Sequence, residues 1–442
     1  MAVSPDECGL RVIADLHIHS RYSRATSLNM NLEEISHFGA IKGLNLIGLG
    51  DFTHPRWLGE LRDGLEEVDE TGVYRLKDGR GKVFFIVTTE VSTVFEYEGS
   101  VRKVHHVIFA PSLDAAEQVN DGLRRFGDLQ VDGRPTLNMT AAELVEVLKG
   151  ICVEAFIFPA HAWTPWFSLF GSNNGFNSVA ECYQDKADEI FALETGLSSD
   201  PPMNWRVSAL EKYTLISNSD SHSAWPWRLG REANVLDMPE LNYRSLIQAF
   251  EKKDVSVFKF TVETPPQYGK YHWTGHRLCG VSMPPSEAVK LGNKCPRCGR
   301  RMVKGVEQRV EELADRPVGF QPEGAVGYVT VIPLSEILTN VLNLGSPSSR
   351  RVWTMYNALV SRFGSEFNVL LEADLSAVAE VTGPQVAKAI EDMRTGRLRI
   401  APGYDGVYGR LLFSEGAEDS SSISPGLGSG KTGLREGLWR YM

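Results

Sequence analysis

Histidine and carboxylate residues stand at the ends of short apolar runs in the first half of the chain. The first run ends in Asp15-Leu16-His17-Ile18-His19. Side chains alternate between the two faces of a strand, so His17 and His19 would point to the same side. Two imidazoles on one face form a common site for a first-row transition metal. The spacing therefore predicts a metal-binding strand end.

Later apolar runs end in the same residue types. These residues are Asp51 and His54 after LNLIGLG, Glu90 after FFIVTT, His161 after FIFPA, and Asp220 and His222 after LISNS. The adjacent pair His105 and His106 opens a run instead. Strand alternation allows one of the pair to face the site, and we predict that it is His106.

Buried acids and histidines without partners would each cost several kcal/mol, and nearby Lys and Arg residues are too few to pair with all of them. Divalent cations bind imidazole and carboxylate together, and the set is too large for one ion. The predicted ligands are His17, His19, Asp51, His54, Glu90, His106, His161, Asp220 and His222. Two or three ions, with Glu90 bridging, suit the hydrolysis of phosphoesters.

A second metal motif lies further along the chain. Cys295-Pro-Arg-Cys298-Gly is half of a zinc knuckle, and His276-Arg-Leu-Cys279 supplies two ligand types at the same spacing. Four such ligands make a closed structural zinc site that leaves no open position for catalysis. His272 is a reserve candidate for this site.

The apolar runs up to about residue 255 are predicted to be buried strands, with amphipathic helices between them. Asn31 and Thr140 are predicted to cap two of these helices. Repeated strand–helix units indicate a parallel sheet, either open or closed into a barrel, with the active site at the carboxyl ends of its strands. The predicted class is α/β.

Composition describes an ordinary globular chain of 442 residues. The net charge of −10 is unevenly distributed, because residues 259–310 hold 10 Lys and Arg against 3 Asp and Glu. An acidic first half beside a basic segment fits a cation-loaded catalytic domain joined to a module that binds a polyanion. The sequence has no long apolar run and no secretory signal pattern, so a cytoplasmic location without a membrane partner is expected.

We predict four segments: a catalytic domain at 1–257, a small zinc-binding module at 258–320, a helical domain at 321–414 and a disordered tail at 415–442. The tail contains PGLGSGKT, which resembles a phosphate-binding loop. Pro425 replaces the required first glycine and no strand precedes the motif, so we reject that interpretation.

The motifs DLHIHS, GDFTHP and SDSH, with Glu90, His106 and His161 between them, resemble the PHP phosphoesterase superfamily. The resemblance implies a distorted β/α barrel with a trinuclear metal centre. The superfamily usually has a histidine directly after the second-motif aspartate, where this chain has Phe52, and RYSRAT lacks a further superfamily histidine. One metal is therefore expected to be bound differently or weakly, with Asp51 as a candidate ligand.

The zinc motif, followed by a helical region with PGYDGVYG, narrows the resemblance to the endonuclease Q family over roughly residues 10–411. Its other quoted motifs are FPAHAWTPWFSLFGSNNGF, ETGLSSDPPMNWR and GPQVAKAIEDMRTGRLRI. The resemblance implies a DNA repair endonuclease that cuts 5′ to uracil, hypoxanthine, xanthine and abasic sites.

An enzyme of that kind must extrude one base and hold the DNA backbone. Aromatic and small polar side chains suit a pocket for a flipped base, and the candidates are Trp166, Phe167, Phe170, Gly171, Ser172, Asn173, Leu197 and Ser198. Basic side chains of the zinc segment suit backbone phosphates, and the candidates are Arg297, Arg300, Arg301, Lys304 and Arg309.

The catalytic residues are expected to be Asp220, His222, His17 and His19, with a metal-bound hydroxide as the nucleophile. Zn²⁺ suits the histidine-rich centre, and Mg²⁺ or Mn²⁺ is a candidate for an ion that turnover requires. Two other functions stay open: a phosphatase acting on a small phosphomonoester, and a zinc-dependent nucleic-acid-binding protein without catalysis. A monomer is expected, and a sliding clamp is a candidate partner.

Overall fold

The computed structural model describes residues 9–412, and eleven of the seventeen strands in this part of the chain form one central mixed sheet. The strands, in chain order, are β1 (Leu10–Asp15), β2 (Leu46–Leu49), β3 (Leu65–Glu67), β4 (Tyr74–Leu76), β5 (Phe84–Tyr97), β6 (Ser100–Ala110), β7 (Thr136–Leu137), β8 (Phe156–Pro159), β9 (Ala192–Glu194), β10 (Thr214–Ile216), β11 (Ala233–Met238), β12 (Phe258–Glu263), β13 (Thr274–His276), β14 (Val281–Met283), β15 (Gly327–Thr330), β16 (Arg399–Ala401) and β17 (Arg410–Leu412). The central sheet has the backbone order β15-β12-β11-β1-β2-β5, and β6 and β8 continue it beyond β5.

Helices cover this sheet and fill the C-terminal region. They are α1 (Leu32–Lys42), α2 (Pro55–Gly64), α3 (Leu113–Leu123), α4 (Ala141–Ile151), α5 (Val179–Tyr183), α6 (Pro201–Trp205), α7 (Tyr243–Glu251), α8 (Pro285–Lys290), α9 (Val306–Leu313), α10 (Leu334–Val341), α11 (Arg350–Phe363), α12 (Leu375–Thr382) and α13 (Pro384–Arg394). Both predicted caps are confirmed, since Asn31 accepts from the amide of Glu34 and Thr140 forms a capping box with Glu143.

The expectation of a parallel sheet holds for β1, β2 and β5, but it is wrong for the antiparallel pairs on either side of them. β6 runs antiparallel to β5, and β11 runs antiparallel to β1. In the first pair, Tyr97 faces Ser100 across a two-residue turn, and both Glu98 and Gly99 have positive φ. That turn joins β5 and β6 directly as a hairpin, which forces antiparallel pairing.

Two short parallel strands, β9 and β10, complete the ring of strands beyond β8. The amide of Ala162, just after β8, donates to the carbonyl of Glu194 in β9. On the other side, the amide of Leu16 donates to the side chain of Asn218, and the amide of Ser219 donates to Asp15. The carboxyl ends of β1, β8, β9 and β10 therefore meet at one edge, as the predicted distorted β/α barrel requires.

The predicted C-terminal helices are confirmed as α10, α11 and α13. β12 pairs with β11 across the predicted boundary after residue 257, so the sheet extends into the second predicted segment. Residues 9–412 form one compact unit, and the division into domains stays a prediction. The predicted tail, residues 415–442, and its PGLGSGKT motif lie outside the described residues.

A buried ion pair connects helix α1 to the C-terminal helices. The Nζ atom of Lys42, in α1, lies 2.8 Å from Glu366 Oε1 and 2.8 Å from the carbonyl of Pro226. Both side chains of the pair are fully buried. The hydroxyl of Tyr356 and the amide of Leu334 also donate to Glu366. This one carboxylate therefore holds α1, α10 and α11 together.

Replacing Lys42 with Met should lower the free energy of unfolding by about 3–5 kcal/mol, because it leaves the Glu366 carboxylate buried without its cation. Urea unfolding of the full chain measures this change. As a control, Arg362→Met removes an exposed pair with Glu380 and should change the value by about 1 kcal/mol or less. Equal effects of the two substitutions would contradict the assignment.

Candidate metal centre

The two histidines after β1 lie together with two carboxylates at the carboxyl edge of the sheet. Ligand atoms of His17, His19, Glu90 and Asp220 all lie within 4.8 Å of one another. Glu90 Oε2 is 3.3 Å from His19 Nε2 and 3.9 Å from His17 Nε2. Asp220 Oδ1 is 3.1 Å and 3.8 Å from the same two nitrogens.

A second group shares Glu90 with the first. Its other oxygen, Oε1, lies 2.8 Å from His105 Nδ1 and 3.0 Å from His161 Nε2. Glu90, His105 and His161 again offer ligand atoms within 4.8 Å of one another. Each carboxylate oxygen of Glu90 therefore belongs to a different group, which is the arrangement of a bridging ligand.

The donor atoms fit divalent cations. The Nε2 atom of His17 is buried and has no hydrogen-bond partner among the described residues. Burial lowers the pKa of His105 to about 4, so its ring is neutral at pH 7, as a metal ligand must be. Burial alone would raise the pKa of Glu90, but its contacts with His105, Arg134 and His161 hold it well below its usual range. Imidazole nitrogens around an ionised carboxylate suit Zn²⁺ and similar ions.

Carboxylates behind the histidines fix the orientation of their rings. Glu194 accepts from His17 Nδ1 at 3.0 Å and from the amide of His161 at 2.7 Å. Asp51 lies 2.9 Å from His19 Nδ1. Such partners orient metal-binding histidines and set their tautomers. Asp51, predicted as a ligand, therefore lies one step behind the ligand atoms, outside both groups.

The choice of His106 over His105 is wrong. In the β5–β6 hairpin, Ser92 pairs with His105 and Glu90 pairs with Val107, so His105 shares the face of Glu90. His106 points the other way, and its ring nitrogens lie 2.8 Å from the hydroxyls of Thr93 and Tyr183. The register of the hairpin decides this, and nothing in the local sequence reveals it.

The two remaining predicted ligands lie outside both groups. The ring of His222 is 4.4 Å from that of His19, and its Nδ1 is 3.7 Å from Asp220 Oδ1, so His222 borders the centre. The ring of His54 stacks on that of Tyr22, with 4.4 Å between the ring centres. His54 therefore packs beside the centre.

Two residues of the site were missed by sequence reasoning. Glu194 ends an apolar strand as the other acids do, and this signal could have identified it. Arg134, whose Nη1 lies 3.1 Å from Glu90 Oε2, comes from a loop and gives no such signal.

The backbone turns sharply where it delivers the ligands. Asp51, His161 and Asp220 all have positive φ, of 67°, 30° and 47°. Non-glycine residues rarely adopt this conformation, and it concentrates at functional sites. Gly196 is required nearby, because a Cβ there would lie 2.8 Å from the Cβ of His161. These strained backbone conformations at the strand ends direct the predicted ligands toward one point.

The aromatic loop after His161 divides into a buried and an exposed part. Phe170 is buried, whereas Trp166 and Phe167 are about two-fifths exposed, at 40% and 39%. The ring of Phe167 lies 5.0 Å from that of His105, and its carbonyl accepts from the amide of His105. An exposed aromatic surface therefore borders the metal centre directly.

The other predicted pocket residues surround this surface unevenly. Asn173 lines a groove together with Trp166, Phe167 and Lys103. Gly171 is buried, and the hydroxyl of Ser172 donates to the carbonyl of Lys304. In the loop next to Gly196, Leu197 is partly exposed and Ser198 is buried. Phe170 is a core residue, because its ring packs on the buried Trp163.

The four predicted zinc ligands come together around the β13–β14 hairpin. Ligand atoms of His276, Cys279, Cys295 and Cys298 lie within 4.8 Å of one another. Desolvation would raise the pKa of Cys295, but backbone amides of Arg297 and Cys298 bring it down to about 6. The reserve candidate His272 lies apart, buried with its Nε2 3.5 Å from Glu307.

The basic residues beside this cluster have different surroundings. Arg300 and Arg301 are exposed, whereas Arg297 donates to the carbonyl of Cys279 and Lys304 pairs with Glu312. Arg309 donates to the carbonyls of Phe170 and Phe176, so it holds the aromatic loop. Its assignment to a DNA phosphate is therefore wrong, since its donors are used within the fold.

Within residues 9–412, every helix is too short or too polar to cross a membrane.

Residues 333–397 match the protein family described as the MJ0043 C-terminal domain. The protein MJ0043 of Methanocaldococcus jannaschii is 33% identical over 258 residues, which are 57% of this chain and 31% of that protein. The chain thus spans about a third of the length of MJ0043. YqxK of Bacillus subtilis is 29% identical over 418 residues, 91% of this chain and 99% of YqxK.

Two solved structures resemble this fold over nearly all of its length. The lesion-specific endonuclease PfuEndoQ from Pyrococcus furiosus is 34% identical with a TM-score of 0.81, covering 92% of this chain and 96% of that chain. A structure of endonuclease Q with a 27-mer duplex carrying an abasic lesion at the active site is 35% identical, with a TM-score of 0.82 over 92% and 97%. With this identity and coverage, the chain belongs to the endonuclease Q family.

Proposed function

We propose that this protein is a metal-dependent DNA repair endonuclease that hydrolyses a phosphodiester next to a damaged nucleotide. The observation that carries the proposal is the pair of ligand groups that share Glu90, next to an exposed aromatic surface. Two cations a few ångströms apart can stabilise the attacking and leaving oxygens of a phosphoryl displacement. The endonuclease Q complex with an abasic duplex supports DNA as the substrate.

The chain's own residues would hold and orient this chemistry. His17, His19, Glu90 and Asp220 would hold one cation, and Glu90, His105 and His161 would hold the other. Bound cations would lower the pKa of water and stabilise the charge of the phosphate. Glu194 and Asp51 would keep the histidine rings in the tautomers that present Nε2 to the cations. Burial of His17, His19 and Glu90 excludes water from the inner side of the site.

Recognition of the lesion would fall to the exposed aromatic side chains. Trp166 and Phe167 stand at the edge of the centre, and Lys103 Nζ lies 5.3 Å from the ring of Phe167. A base taken out of the duplex can stack on such rings whatever its identity, with polar neighbours such as Asn173 reading its edges. Cutting on the 5′ side of uracil, hypoxanthine, xanthine or an abasic site is the specificity we propose.

The zinc segment would bind DNA outside the reaction site. His276, Cys279, Cys295 and Cys298 would hold a structural Zn²⁺, which stabilises the fold of a short segment. Arg300 and Arg301 are exposed beside it and would contact backbone phosphates. Mg²⁺ or Mn²⁺ in turnover, a monomeric state, a sliding-clamp partner and a cytoplasmic location stay predictions.

Replacing Asp220 or His17 with Ala should abolish nicking of a duplex with one uracil or abasic site, while duplex binding changes little. Loss of a cation removes several kcal/mol of transition-state stabilisation, which corresponds to about 1000-fold or more in rate. Gel assays of cleavage and fluorescence anisotropy of binding measure the two effects. His37→Ala, at an exposed histidine outside the centre, is the control. Parallel loss of binding and cleavage would count against the proposal.

The same protein preparation should turn over a generic aryl phosphate far more slowly than a uracil-containing duplex. The aromatic loop and basic segment serve a polymer, and a small phosphomonoester needs neither. The reverse preference would favour a phosphatase. Failure to nick any damaged duplex with Zn²⁺, Mg²⁺ or Mn²⁺ would favour a binding protein without catalysis.

Phe167→Ala should weaken cleavage of damaged duplexes by about 10-fold or more, because stacking of one base contributes about 1–3 kcal/mol. The loss should be seen as a rise in the enzyme concentration needed for half-maximal single-turnover cleavage. Tyr328→Ala removes an exposed ring outside this loop and is the matched control. An unchanged concentration dependence for Phe167→Ala would exclude stacking on this ring.

Cys298→Ser should remove one zinc ion per chain, because the closed site needs all four ligands. Metal analysis by mass spectrometry measures the zinc content. Cys152→Ser, at a half-buried cysteine outside the group, should leave it unchanged. The same zinc content in both variants would show that the four residues do not bind the ion.

A further inference from the structure

The side chain of Arg134 enters the metal centre from the loop before β7. Its Nη1 lies 3.1 Å from Glu90 Oε2, the oxygen that faces His17 and His19. Its charge also acts on Asp220 and His222. A permanent cation thus lies against the shared carboxylate and close to a second ligand.

The loop that carries Arg134 is held by the two segments that follow β1 and β2. The amide of Gly133 donates to the carbonyl of Tyr22, and the hydroxyl of Thr53 donates to the carbonyl of Gly133. A Cβ at position 133 would lie 2.4 Å from Asp51 Oδ2. Only glycine therefore fits at this position, where the backbone lies against Asp51. The position of Arg134 is therefore set by the segments that also supply the metal ligands.

Asp51 is the acid that could hold a further cation here, but both of its carboxylate oxygens already accept hydrogen bonds within the protein. Asp51 is fully buried, and its oxygens accept from His19, from the amide and hydroxyl of Ser20, and from the hydroxyl of Ser23. His54, the nearest predicted partner of Asp51, stacks on Tyr22 outside both ligand groups. The two residues therefore do not form a third ligand group.

Arg134 also stands on the side of the centre that a substrate can reach. The side chains of Arg134, Asp220 and His222 are 22%, 29% and 27% exposed, whereas those of His17, His19 and Glu90 are at most 1% exposed. Within residues 9–412, the guanidinium donates to one acceptor, Glu90. Its other N–H groups are available to a ligand at this rim.

We propose that the Arg134 guanidinium takes the place of a third metal ion in this centre, so that the centre binds two divalent cations, and that it donates to a non-bridging oxygen of the phosphate that is cut. The second part rests on the proposed endonuclease function. A guanidinium suits this role because its planar set of donors can contact Glu90 and a phosphate oxygen at once, and its charge does not vary with pH. Arg134 would thus be a catalytic residue that holds developing negative charge.

The number of ions is tested independently of activity. Anomalous diffraction from crystals of the zinc-loaded full chain should locate two ions in the centre, one in each ligand group, with the guanidinium against Glu90. A third ion bound by Asp51 or His54 would overturn the proposal. This measurement stands even if the protein cuts no DNA, in which case the proposed function fails and the two-ion arrangement is still decided.

The phosphate contact is tested with Arg134→Met and Arg134→Lys on an abasic duplex under single-turnover conditions. For Arg134→Met, we expect the maximal cleavage rate to fall by about 100-fold, with little change in the half-saturating enzyme concentration. Arg134→Lys should recover part of the rate, because it keeps a charge without the second donor. Arg24→Met is the matched control, since Arg24 pairs with Asp132 in the same loop and is 76% exposed.

Ion content separates this role from a structural one. Arg134→Met should retain both ions in the anomalous map. If it loses an ion, Arg134 acts only by holding Glu90, and the phosphate contact is refuted. A maximal rate equal to that of the wild type, or no recovery with Arg134→Lys while both ions remain, would also refute it.

Discussion

The buried carboxylate of Glu90 is the feature on which the metal centre depends. Each of its oxygens faces a different set of histidines, and the side chain is fully buried. An isolated carboxylate in this position would be too costly to keep ionised, so the surrounding cationic charge is a requirement of folding as well as of chemistry. The histidines, Arg134 and the proposed cations all supply positive charge or hydrogen bonds to this carboxylate.

The need to surround Glu90 explains the irregular backbone around it. Ligands come from the ends of strands that are distant in sequence, and Asp51, His161 and Asp220 adopt positive φ where they leave those strands. A network of acids then fixes the rings, with Glu194 bound to His17 and to the amide of His161. Because Glu194 and Asp51 hold the rings of His17 and His19 from behind, the side that faces the cations is preorganised before a substrate arrives.

The C-terminal helices are connected to the same centre through one loop. Lys42 bonds both Glu366, in the helical region, and the carbonyl of Pro226, which lies a few residues after the ligand Asp220. Further along this loop, Arg231 donates to the carbonyl of Ser219. The helical region therefore takes part in holding the segment that carries Asp220, and its packing and the geometry of the site depend on the same contacts.

The sequence by itself determined the residue types at the strand ends, the helix caps and the four-ligand zinc pattern, because these depend on spacing within a few neighbouring residues. The number of candidate ligands also predicted two or three ions with a bridging carboxylate such as Glu90. Tertiary structure decided between His105 and His106, moved Asp51 and His54 out of the ligand groups, and brought in Glu194 and Arg134. Those outcomes depend on strand register and on contacts between distant segments, and alternation along one strand cannot reveal which of its faces meets the partner strands.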